Sequence, residues 1–208
     1  MADDSVAAVH TLGRRPLAFE HPKLTQHVVD FRAFDGLSTG LLPPLPAVQE
    51  VFLALGTTIK AAGSQQAFRA VDHDANLAVA RAALAQGASR LGLVSAMGAD
   101  PQSRIFYNRV KGELERDVQQ LQYAGLVIAR PSFLVGDREA LGQPRRPGET
   151  LALAASRRLG WLIPDDYKAI EAAQVAAAML RTVPSAEGAR VLSSGQMRRI
   201  APAAAAPA

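Results

Sequence analysis

The sequence predicts an α/β fold, an open parallel β-sheet wound by crossover helices. Three features carry that prediction. Short apolar runs alternate with longer segments whose apolar residues recur at helical spacing. The short runs are nearly continuous in apolar residues, as strands covered on both faces are. Each long segment lies between two short ones, which is the order a strand–helix–strand crossover requires.

The elements follow in chain order. Residues 6–12 (VAAVHTL) form a first strand, ended by "GRRP", and residues 26–31 (QHVVDF) a second. A Gly- and Pro-rich loop leads to the apolar run 50–58 (EVFLALGTT). Residues 64–87 read as one helix closed by Gly87, and 89–96 (SRLGLVSA) as the next strand. Residues 103–125 are a second helix, with Ser103 as N-cap and Gly125 as stop. Residues 126–136 (LVIARPSFLVG) are a fifth strand running into a Pro turn. Beyond Gly136 the pattern loosens into a loop, two helices at 150–160 and 171–183, and "WLIPDDYKAI" between them. One domain over residues 1–200 is expected, with a small substrate-side region at about 137–172 and a low-complexity tail at 201–208.

Composition narrows the function. Half of the 208 residues (49%) are hydrophobic, enough for a real core, and there is no Cys for a disulfide or thiolate site. The +4 charge is spread as Arg pairs (Arg14–Arg15, Arg145–Arg146, Arg157–Arg158, Arg198–Arg199). A nucleic-acid surface would cluster that charge among aromatics, which make up only 5% here, so no nucleic-acid partner is expected. No run is long enough to span a bilayer and no leader pattern opens the chain, so no membrane partner and a cytoplasmic location are expected. Of the four His, only His73, in "DHD", is flanked by acids on both sides. Three consecutive helical side chains diverge, so no metal is expected. The two Asp of "DHD" read as acids complementing a helix N-terminus.

The most informative stretch is "SAMGADPQSRIFYNRVKGELE", residues 95–115. Tyr107 and Lys111 stand four apart on a helix and so project side by side. A neighbouring ammonium favours the phenolate and tunes a Tyr towards acid–base work. Ser95 ends a strand, where open α/β sheets place their ligands. Its hydroxyl there would polarise a carbonyl that Tyr107 protonates. The competing reading is an ordinary polar helix face.

With "ALGTT" (54–58), "VDHDANLAVARAA" (71–83), "LVSAMGAD" (93–100) and "IARPSFLVGDRE" (128–139) in the same order, the chain resembles the short-chain dehydrogenases/reductases. It is most similar to their atypical, Tat-interacting oxidoreductase-like group. The resemblance implies a doubly wound, Rossmann-like parallel sheet and an NAD(P)-binding, epimerase/dehydratase-like oxidoreductase. It implies Ser95, Tyr107 and Lys111 as the catalytic trio, with Lys111 also bonding the nicotinamide ribose. Pro131 and Ser132 would touch the carboxamide, Leu55, Gly56 and Thr57 would lie along the cofactor, and Asp30 would face the adenine. Trp161 and Tyr167 would belong to the substrate side, or simply pack under a loop. Arg14 and Arg15 stand where an NAD site usually has an acid. Arg suits a 2′-phosphate, so NADP(H) is favoured over NAD. The expected activity is hydride transfer to or from a small carbonyl or alcohol, and the chain looks short after Gly136 for a nucleotide-sugar lobe. The alternatives are an NADP(H)-binding sensor with little turnover, or an inactive truncated relative. The oligomeric state is open.

One family element is missing. The chain has no opening strand and no G-x-x-G-x-x-G turn, and it begins at what corresponds to the end of the first helix. The first family strand sits mid-sheet, between the second and fourth. Its loss leaves ladder partners unmade unless residues 6–12 shift over to pair with 51–55. Either the natural protein carries about twenty further residues before Met1, or the chain is a truncated relative.

Overall fold

The computed structural model describes residues 4–31, 46–135 and 164–202. All its strands are parallel. A two-stranded sheet pairs β1 (Val9–Gly13) with β2 (Leu24–Val28). A four-stranded sheet has the order β3 (Glu50–Leu53), β4 (Arg90–Val94), β5 (Gly125–Arg130), β8 (Gly188–Ser193). The short strands β6 (Leu134–Val135) and β7 (Ile170–Glu171) form a third pair.

The four-stranded sheet is covered on both faces, and its residues alternate between two cores. Leu91 and Leu93 of β4 and Leu126 and Ile128 of β5 enter one cluster with Leu77, Ala80, Leu114 and Val118. Val127 and Ala129 of β5 face the other, with Val175, Met179 and Met197. This period-2 partition is the doubly wound arrangement the apolar runs implied. On β4 the second face is Gly92, where a Cβ would lie 2.7 Å from Met179 Cε. The absent side chain is what lets α5 (Ala172–Thr182) sit down on the sheet.

A short helix α1 (Ile59–Ala62) precedes the helix expected over 64–87, which is two helices and a π-helical turn: α2 (Gln65–Arg69), the turn Ala70–Ala75, and α3 (Asn76–Ala85). Ser64 caps α2 by accepting from Ala67 N, and Gly87 closes the segment at φ +95°. Asn76 explains the widened turn. Its Nδ2 donates to the carbonyls of Val71 and Asp72, five and four residues back, and to Leu55 of the loop after β3. A side chain has entered the backbone ladder, which a periodicity count does not register.

Other boundaries shift for local reasons. Helix α4 runs from Phe106 to Gln119, and Ser103 caps the approaching turn by accepting from Ile105 N rather than starting the helix. The chain reverses at Gln122 (φ 57°), and Gly125 begins β5 where a Cβ would strike the Ala186 carbonyl at 2.2 Å. The strand expected over 126–136 breaks at Pro131, which has no N–H for the ladder. Strand β8 and helix α6 (Ser194–Ile200) were not expected; most of β8 is exposed, so it lacks an apolar signature. The helix expected over 150–160, the loop before it and Trp161 lie outside the described residues.

Residues 6–12 do not move over to β3. Val9 to Gly13 pair with Leu24 to Val28, so β1–β2 and the four-stranded sheet stay separate ladders. Apolar packing joins them: Leu12, Val29 and Phe31 share a cluster with Leu53, Leu55 and Leu91.

Gly112 fixes the height of α4. A Cβ there would lie 2.2 Å from the Asp100 carbonyl carbon and 2.3 Å from Pro101 N, both backbone. Backbone cannot swing aside, so Gly112→Ala is expected to destabilise the fold by about 1–3 kcal/mol or more, read as a lower denaturant midpoint at unchanged m-value.

Candidate active site

In each ladder the strands run the same way, so a ladder's loops leave from one edge. Ser95 follows β4 and Pro131 follows β5. Two further backbone bonds, Ser95 N to Ala129 O (2.8 Å) and Met97 N to Pro131 O (2.9 Å), keep these segments side by side past the ladder's end. Between them lies a cavity of about 200 Å³, lined by Ser95, Ala96, Tyr107, Pro131, Ser132, Phe133 and Leu134. A wider, open hollow along residues 20–26 contains none of the trio.

Tyr107 is the Tyr that opens into this cavity. Its ring packs on Phe68 at 5.7 Å between centroids, and it is 36% exposed. Tyr123 is buried and donates to Ala80 O at 2.6 Å, and burial raises its hydroxyl well above the usual range. Tyr167 is exposed, on a 3₁₀ turn.

Helical spacing puts Tyr107, Lys111 and Glu115 on one face of α4. Lys111 is 5% exposed, with its ammonium 2.8 Å from Asp72 Oδ1. Asp72 is 1% exposed and its Oδ2 accepts from Thr57 N at 2.7 Å. Burial raises the Asp72 carboxyl above its ordinary 3.8, while Lys111 and the Thr57 N–H oppose the rise. Asp72 is therefore no solvated acid at a helix start. The π-helical turn delivers it inward, whereas His73 bridges Asp74 (2.7 Å) and Asp117 (2.9 Å).

Glu115, 2% exposed, accepts the Ser95 hydroxyl at 2.5 Å. Arg130 grips the same carboxylate, Nε reaching both oxygens (3.0 and 3.2 Å) and Nη2 reaching Oε2 at 2.5 Å. Sequence reasoning named neither Asp72 nor Glu115 nor Arg130 as part of the site. Glu115 was within reach: it lies one turn past Lys111, as Lys111 lies one turn past Tyr107.

The remaining expected residues distribute as follows. Leu55, Gly56 and Thr57 form the loop after β3. At Gly56 a Cβ would lie 3.3 Å from Asp72 Oδ1 and 3.8 Å from Lys111 Nζ. Ser132 lines the cavity wall, but its hydroxyl donates to Lys168 O (2.6 Å) and its N–H to Ser194 Oγ (2.8 Å). Arg14 and Arg15 are exposed just past β1, and Asp30 is exposed just past β2. These residues suit the ribose–nicotinamide half of a dinucleotide: a side-chain-free backbone at Gly56 beside a fixed ammonium, and a hydroxyl-lined cavity.

Lys111→Met would strand the buried Asp72 carboxylate, and about 3–5 kcal/mol of stability is expected to be lost. The loss should shrink as pH falls, because the stranded carboxyl takes up a proton: a raised folded pKa makes stability greatest below 3.8 and lost as pH rises through the folded value. Asp72→Asn combined with Lys111→Met should recover most of the loss and flatten this pH dependence in chemical denaturation.

No protein-family model matches the chain. Over 170 residues it is 34% identical to "Protein FMP52, mitochondrial" of Coccidioides immitis, covering 78% of this chain and 68% of that protein. Over 195 residues it is 36% identical to "Protein HTATIP2" of Rattus norvegicus, covering 91% and 73%. The FMP52 protein of Saccharomyces cerevisiae is 36% identical over 151 residues, 72% of this chain and 64% of that one. Among solved structures, MoeE5 with UDP-glucose and NAD superposes at TM-score 0.63 and 17% identity, over 91% of this chain and 68% of that one. UDP-glucose 4-epimerase of Thermotoga maritima gives 0.60 at 12%, over 90% and 69%. RMD of Pseudomonas aeruginosa with NADPH gives 0.52 at 18%, over 88% and 75%. These structures share the fold. The FMP52 relatives are mitochondrial by name, which overturns the cytoplasmic expectation. Composition reports how a chain meets water, whereas a compartment is an address read by receptors.

Proposed function

Because the chain belongs to the family of HTATIP2 and FMP52, an atypical branch of the short-chain dehydrogenases/reductases, we propose that it is an NADP(H)-dependent oxidoreductase acting on a small carbonyl or alcohol. The observation that supports this is the shared cavity of Ser95 and Tyr107, with the Lys111 ammonium fixed one helical turn along α4. When bound, the nicotinamide supplies or takes the hydride. Tyr107 gives or takes the oxygen proton, and Ser95 Oγ holds the reacting group against it. Lys111 stabilises the negative charge that develops on the Tyr107 oxygen. Asp72 keeps the ammonium in place, and Phe133 and Leu134 supply the apolar part of the cavity wall.

NADPH oxidation with a panel of aldehydes and quinones tests the reading. Tyr107→Phe is expected to lower kcat by about 10²–10⁴-fold with NADPH binding retained by calorimetry. Turnover that survives Tyr107→Phe, or no NADPH binding by the unaltered chain, sinks it. Binding without turnover on any panel supports a sensor instead.

The choice of NADP(H) rests on Arg14 and Arg15, exposed past β1 and able to pair a 2′-phosphate. Replacing both by Ala is expected to weaken NADPH binding about tenfold to a hundredfold and to leave NADH binding unchanged in the same titration.

A further inference from the structure

We infer that the carbonyl or alcohol taken by this site carries a short hydrocarbon body, alkyl or aryl, with no charge and no hydroxyl beyond the reacting oxygen, and that Met97, Phe133 and Leu134 select it. This deepens the oxidoreductase reading and, for the chemistry it names, rests on it.

Among the described residues, no charged side chain lines the cavity. Tyr107, on the same wall, is the hydroxyl that exchanges a proton with the reacting oxygen, so any second polar group on the ligand must find a partner elsewhere. The wall does hold other polar atoms, but they are bonded within the protein. Ser95 donates its N–H to Ala129 O (2.8 Å) and its hydroxyl to Glu115 Oε1 (2.5 Å). Ser132 donates its N–H to Ser194 Oγ (2.8 Å) and its hydroxyl to Lys168 O (2.6 Å). The carbonyls of Ala96, Pro131 and Phe133 accept from the N–H groups of Ala99, Met97 and Ile170 (3.1, 2.9 and 2.9 Å). A ligand hydroxyl or carboxylate seated here exchanges its water for groups that already have partners, which costs free energy. A hydrocarbon has no such bonds to lose. Apolar side chains, by contrast, are uncovered at the same place. Phe133 and Met97 are each 41% exposed and Leu134 36%. Phe133 and Leu134 are on the wall itself, and Met97 stands beside it, next to Ala96 in the chain and bonded through its N–H to Pro131 O. Exposed apolar side chains grouped around a cavity mark the surface a ligand covers, and covering them takes apolar area out of water. At about 200 Å³ the cavity is smaller than the roughly 300–1,000 Å³ of sites for drug-sized ligands, so the body is short.

The test has one arm without turnover and one with it. In the carbon–proton spectrum of the full chain, the Met97 methyl resonance, identified by its loss in Met97→Leu, is expected to shift on titration with benzyl alcohol and to stay in place with glycerol at the same concentration. No shift with benzyl alcohol, or an equal shift with glycerol, overturns the inference, whatever the kinetics. In the second arm, NADPH oxidation is followed with propanal, pentanal and heptanal. The value of kcat/KM is expected to rise about twofold to fourfold per added methylene, and Phe133→Ser is expected to flatten that rise. Met97→Ser, a change to an exposed turn side chain, is the second variant and should flatten it in the same direction even where Phe133→Ser fails to fold. A series that is flat in the unaltered protein, or a kcat/KM for glyceraldehyde or succinic semialdehyde that matches pentanal, overturns the inference. If the unaltered protein oxidises NADPH with no aldehyde, the oxidoreductase reading fails, and the titration arm alone decides whether this wall takes a hydrocarbon body.

Discussion

The ion pair between Lys111 and Asp72 holds the rest of the site in place. Two charges out of water are tolerable only when each completes the other. Asp72 is more buried than Lys111, so burial works on it first, and the ammonium at 2.8 Å and the Thr57 N–H are what it receives in return. Three segments are thereby tied at one point: the loop after β3 through Thr57, the π-helical turn through Asp72, and α4 through Lys111. The loop is further held by Asn76, whose amide reaches Leu55 O. Displacing any one of these segments would leave a buried charge or amide without its partner.

Along α4 the same logic recurs one turn later. Glu115 is buried as deeply as Lys111, and Arg130 and Ser95 complete it. The helix therefore presents three consecutive turns to the carboxyl edge of the sheet with three different duties: Tyr107 open to the cavity, Lys111 locked to the β3 side, Glu115 locked to the β4–β5 side. Gly112, between the two locks, allows the Asp100–Pro101 backbone to press on the helix, which sets how deep the locks sit. A polar face that faced only solvent would need none of this; its charges would be hydrated and its glycine replaceable.

The two ladders meet without backbone pairing. β1 and β2 carry Arg14, Arg15 and Asp30 at their ends, and β3 to β5 carry the loop at Gly56, Ser95 and Pro131. What joins the halves is apolar packing of Leu12, Val29 and Phe31 against Leu53 and Leu55. Packing is non-directional, so it constrains this junction less closely than a hydrogen-bonded ladder constrains β3 to β8.

The sequence by itself determined the alternation of parallel strands and crossover helices, the continuous apolar runs of β4 and β5, and the Tyr107–Lys111 spacing. Each is a local period, 2 or 3.6 residues, written directly in residue order. Tertiary structure decided what lies between elements distant in the chain. Asp72 turned from a presumed helix-start acid into the partner of Lys111 because Asn76 widened the helix turn beneath it. Ser95 acquired a carboxylate from Glu115, twenty residues on, only because β4 and α4 pack together. β8 escaped sequence reading because an exposed edge strand needs no apolar pattern, and β1 chose β2 over β3 through backbone ladders that side-chain identity does not encode. Periodicity reports which face a residue turns inward, and it is silent on what that residue meets there.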